Sequence, residues 1–122
     1  MNQEQFVAVV KQNVVKSGVE GLIETYKNPP GRQPSESLLR MSNFYKALED
    51  EQKSVLKEII LNAADTSVFG FLCLLDGVSS LNAYGGDSGH LKLIYVNDRL
   101  GMETMLNNSD GDFLHDIYNA EC

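Results

Sequence analysis

The chain has no tryptophan, only two cysteines and only three prolines in its 122 residues. Two cysteines cannot build the disulfide lattice of a small secreted scaffold. Cys73 sits in an apolar run and Cys122 closes the sequence, so both are expected to be free thiols in a reducing compartment. The longest apolar run, residues 68–75, is about eight residues long and contains Gly70, far short of the roughly 20 that span a bilayer. Met1-Asn2-Gln3-Glu4-Gln5 lacks a basic region followed by an apolar one, so it does not read as a secretory signal. These absences lead us to expect a soluble, cytoplasmic protein.

Catalytic and cofactor motifs are also missing. Gly85-Gly86-Asp87-Ser88-Gly89 is glycine-rich, but it precedes a strand pattern. A phosphate cradle needs a following helix N-terminus, and Asp87 would repel the anion. Residues 107–112 have the composition of a calcium loop without its register. With Gly111 at the sixth position, Leu106 falls where a carboxylate is required and Ile117 falls at the twelfth. Ser67, Ser79, Ser80 and Ser88 lie in no nucleophile elbow. The apolar surroundings of Cys73 raise a thiol pKa and make a poor nucleophile. The sequence therefore calls for no cofactor and no metal.

What is present is an ordinary globular composition, 43% hydrophobic and 22% charged, which fits one domain over residues 1–122. The charge is segregated. Residues 1–48 carry six Lys/Arg against four Asp/Glu, whereas residues 58–122 carry only Lys92 and Arg99 against ten acids. Nearly all of the net charge of −7 thus lies in the second half, which disfavours nucleic acid and attracts a basic protein. Lys11, Lys16, Lys27, Arg32, Arg40 and Lys46 are spread over two helices and a loop, as on a solvated exterior.

Periodicity predicts an α+β fold, predominantly helical with four to five helices, and one β-hairpin in the C-terminal half packed on a buried helix. Phe6, Val9, Val10, Val14, Leu22, Ile23 and Tyr26 mark a first helix over residues 4–27, interrupted at Ser17-Gly18. The proline-rich stretch 28–34 ends it. Ser35 or Ser37 caps a second helix to about Leu48, with Leu38, Leu39, Met41, Phe44, Tyr45 and Leu48 as its apolar stripe. A third helix from about Asp50 to Ala64 turns Val55, Leu56, Ile59, Ile60 and Ala63 inward. Asp65-Thr66-Ser67 reads as a fresh cap, and the run 68–75 as the most buried helix, with Gly70 admitting a close neighbour; a helix continuous through Asp65 is the alternative. The period then switches to two around Leu91, Leu93 and Tyr95. A turn at 97–101 and a return strand at 102–106 complete a hairpin. A short last helix capped by Asp110 or Asp112 carries Phe113, Leu114, Ile117 and Tyr118.

Two stretches, Phe69-Gly70-Phe71-Leu72-Cys73-Leu74-Leu75-Asp76-Gly77 and Phe113-Leu114-His115-Asp116-Ile117-Tyr118, resemble small bacterial domains with the size and character of immunity proteins from toxin–immunity systems. That resemblance implies a binding role and transfers no catalytic residue. Together with the acidic half, it leads us to expect a non-enzymatic inhibitor of a basic toxin domain, a nuclease. Tyr84, Asp87, Tyr95, Asp98, Glu103, Asp110, Asp112 and Asp116 would form the contact. Two alternatives stay open: a metal-binding or hydrolytic domain using His115, Asp112 and His90, and a homodimeric adaptor.

Overall fold

The computed structural model describes residues 1–78, 89–108 and 110–120. Among them, four helical segments and one antiparallel hairpin make an α+β fold. The chain divides into two compact units, one of Asn13–Asp65 and one of Met1–Gln12 with Thr66–Cys122.

The first helical segment comprises α1 (Gln3–Val9), a π-helical stretch (Val10–Lys16) and α2 (Ser17–Lys27). Asn2 begins it with a capping box: its side chain accepts from the Gln5 amide, and Gln5 accepts from the Asn2 amide. The π-helical stretch explains which valines are buried. A regular 3.6-residue period places Val14 inward, yet Val14 is exposed and Val15 is buried. The wider π turn accommodates a five-residue step from Val10 to Val15. After it, Val19 and Ile23 are buried at four-residue spacing, while Val9 and Leu22 are exposed. Ser17-Gly18 does not interrupt the segment.

In the Asn13–Asp65 unit, α2 lies against α3 (Glu36–Ala47), which starts at Ser35, whose Oγ accepts from the Leu38 amide. Buried Ser42 donates to the Tyr26 carbonyl at 2.5 Å, satisfying its hydroxyl at the seam. Tyr26 and Tyr45 rings lie 6.2 Å apart, and Lys53 Nζ is 5.2 Å from the centre of the Tyr45 ring. The outer stripe of this unit is not inward as expected. Phe44 (61%), Ile59 (58%) and Val55 (48%) are well exposed, as are Leu39, Met41 and Ala63. A helix buries only the faces its neighbours cover. Here α2 takes one face of α3 and α4 (Asp50–Leu75) brings Lys53 to the Tyr45 ring, while Phe44 stays largely exposed.

α4 runs unbroken from Asp50 to Leu75 (Asp50–Leu75), so Asp65-Thr66-Ser67 lies within the helix and does not cap a new one. In the other unit, only Leu72 of its last ten positions is fully buried, and Phe71 is exposed; the run 68–75 is half-covered where burial on every side was expected. Among the described residues, no atom beyond the helix's own neighbouring backbone lies within 4 Å of a Cβ placed on Gly70, so that glycine admits no close neighbour there.

The core of this unit comprises Val7 and Val10, Leu72, Leu106, and Leu114, Ile117 and Tyr118 of α5 (Leu114–Ala120). The hairpin pairs β1 (Ile94–Asn97) with β2 (Met102–Met105) in the register Ile94↔Met105, Tyr95↔Thr104, Val96↔Glu103, Asn97↔Met102. The turn between them needs Gly101 at φ +63°, and Asn97 Oδ1 accepts from the Leu100 amide. Two side chains fix the hairpin's base. Asn107 donates to the carbonyls of Leu75 (2.7 Å) and Leu91 (2.8 Å) and accepts from the Leu93 amide (2.7 Å). Gln3 donates to the carbonyls of Leu106 and Asp112.

Candidate interaction surface

Side chains alternate across a strand, so the hairpin has two unlike faces. Tyr95, Asn97 and Thr104 are half-buried on one. The other carries Ile94 (44% exposed), Val96 (51%), Met105 and, opposite Val96, Glu103. Leu100 in the turn is 64% exposed. Tyr95, expected as an outward anchor, therefore lies on the inner face, and the outward apolar residues are Ile94, Val96 and Met105. Leu93, whose carbonyl accepts from the Leu106 amide, and Tyr95 share the half-buried face, as their two-residue spacing requires.

The expected acidic contacts fall in different places. Tyr84 and Asp87 lie outside the described residues. Asp98 is exposed in the hairpin turn beside Arg99, Glu103 on β2, and Asp110 and Asp112 in the turn ahead of α5. Among the described residues, the carboxylates of these four form no ion pair. Asp116 differs: its Oδ1 stands 3.3 Å from His115 Nε2.

His115 and its partners form a polar cluster at the start of α5. The Asp76 carboxylate, with its side chain 1% exposed, accepts from the Leu114 amide (3.1 Å), the His115 amide (2.9 Å) and His115 Nδ1 (2.7 Å). An acid 38 residues upstream thus caps α5, where Asp110 or Asp112 was expected. Asp112 precedes the helix and does not pair with His115, and His90 is exposed. The ring of His115 stacks on Phe113 and meets Phe69 edge-on. Nδ1 thus faces the buried Asp76 carboxylate and Nε2 the exposed Asp116 carboxylate. Burial pushes the Cys73 thiol up from its ordinary value of 9.0, and the charges of Asp76 and Asp116 push it further. It stays a thiol at neutral pH, as its apolar setting implied. Among the described residues, no three His, Cys, Asp or Glu side chains are arranged to hold a metal ion.

A second uncovered apolar region lies in the Asn13–Asp65 unit. One groove of about 360 Å³ runs from Phe44 to Val55 and Ile59, and another of about 390 Å³ from Tyr26 to Met41 and Ile60. α4 is also long and apolar enough, by length and composition, to cross a membrane, with a mean hydropathy of 1.5 over its most apolar stretch. The uninterrupted run 68–75 is only part of it, because the apolar character continues on the N-terminal side of Asp65. Set against protein families, curated proteins and solved structures, the chain matches none of them.

Proposed function

We propose that this is a non-enzymatic binding protein of the bacterial cytoplasm, an immunity protein that covers the active surface of a basic toxin domain, a nuclease. The observation that supports this is the hairpin: an exposed apolar face beside carboxylates that, among the described residues, have no counter-charge. Such carboxylates steer a cationic partner and set its register, while desolvated Ile94, Val96 and Met105 supply the affinity. Asp76 and Asp116 are committed to His115 and contribute less to that field.

The test is direct. A basic C-terminal domain encoded by the adjacent upstream reading frame is purified and mixed with the protein. A one-to-one complex in which nuclease activity is lost is the expected result. No complex, or a complex with the nuclease fully active, overturns the proposal. Sizing the protein alone separates this reading from a homodimeric adaptor. Flotation with anionic vesicles tests the cytoplasmic placement: the protein is expected to stay unbound, and migration with the vesicles through α4 contradicts it.

A further inference from the structure

The Leu106 amide donates to the Leu93 carbonyl at 2.8 Å. Antiparallel rungs alternate in kind, so Tyr95↔Thr104 and Asn97↔Met102 also turn their backbone groups towards each other. The intervening rungs, Ile94↔Met105 and Val96↔Glu103, turn theirs outward. The outer edge of β2 therefore presents the amides and carbonyls of Glu103 and Met105. Among the described residues, nothing bonds them from that side. An edge of this kind is a template for another strand.

Charge decides which strand. A second copy pairing edge to edge would bring Glu103 near its own counterpart, between two molecules each carrying −7, and like charges across a pair are destabilising. The β1 edge is preceded by His90 and Lys92, whereas β2 carries Glu103 and leads on to Asp110 and Asp112. We propose that the outer edge of β2 is a strand-docking site for an extended cationic segment of a protein partner, in which a Lys or Arg and an aliphatic residue stand two positions apart on one face. The cation lies beside Glu103. Two residues along, on the same face, an aliphatic side chain lies beside Met105 and extends the strip made with Ile94 and Val96. This inference rests on the reading of the protein as a protein-binding module and specifies how the partner is held.

The probe is a ten-residue peptide in which lysine and valine take turns at every second position with threonine between them, compared with a block isomer of the same composition, against the full chain. The alternating peptide is expected to slow amide exchange at Glu103 and Met105 and to bind about tenfold more tightly than the block isomer. Glu103→Lys is expected to abolish binding. Glu103→Pro removes one outward donor together with the carboxylate and leaves the hairpin's own rungs, so it weakens binding by more than about fivefold. If that variant loses the hairpin, a peptide N-methylated at alternate residues makes the same test on the unaltered chain. Equal binding of the two isomers, or protection elsewhere than the β2 edge, overturns the inference. A toxin domain that binds a folded Glu103→Pro chain undiminished also overturns it and leaves the proposed function standing. A toxin domain that fails to bind while the peptide docks removes that function and leaves the edge site.

Discussion

Replacing Asp76 with alanine tests whether one buried carboxylate organises the C-terminal helix. Asp76 accepts from two amides at the start of α5 and from His115 Nδ1, all within 3.1 Å. Its loss orphans three donors in a place where water has little access. Losing a helix cap costs about 1–2 kcal/mol, and leaving a buried donor unsatisfied costs about 1–3 kcal/mol. These losses overlap, so the net expectation is about 3–4 kcal/mol. That is a large share of a typical stability, and it corresponds to a fall in Tm of about 10–15 °C. Urea unfolding followed by circular dichroism measures the loss. Amide exchange at Leu114 and His115 shows whether α5 opens first. Asp76→Asn, which keeps one carbonyl acceptor for the Leu114 amide, is expected to lose roughly 2 kcal/mol. A loss under about 1 kcal/mol for the alanine variant would mean that water replaces the carboxylate, and would refute the staple.

Three further outcomes are expected. Asn107→Ala removes three hydrogen bonds at the hairpin base and should cost about 2–3 kcal/mol in urea unfolding, with exchange at Leu93 accelerated. Gly70→Ala meets open space within a helix and should stabilise by about 0.5–1 kcal/mol in thermal melts. Cys73 should alkylate slowly at neutral pH, with its rate climbing only above the ordinary thiol value of 9.0. Because folding favours its protonated form, the stability it contributes is fully present below that value and is lost as pH rises through the raised one.

The sequence revealed what local chemistry dictates. Prolines at 29, 30 and 34 end the first segment, Ser35 caps α3, and Gly101 turns a hairpin flanked by Ile94 and Met105. It concealed what depends on distant partners. Asp65-Thr66-Ser67 has the chemistry of a cap, yet its backbone continues α4 because helical neighbours on both sides carry it through. Val15 replaced Val14 in the interior because one π-helical stretch shifts the register, and periodicity presumes a constant turn. Asp112 looked like the partner of His115 because it is three residues away, whereas the true partner, Asp76, is brought there by the fold. Asn107 resembled one more turn residue, and only its three hydrogen bonds reveal its position at the junction of α4 and the hairpin. The exposed faces of Ile94, Val96 and Phe44 follow from which elements have neighbours, which no residue pattern encodes.

The most direct test of the central claim is residue-resolved amide exchange with and without the basic nuclease domain. The account predicts slowed exchange over residues 94–105, centred on Glu103 and Met105, with α3 unchanged. Protection confined to the Phe44 and Ile59 grooves, with the hairpin exchanging as freely as before, would contradict it.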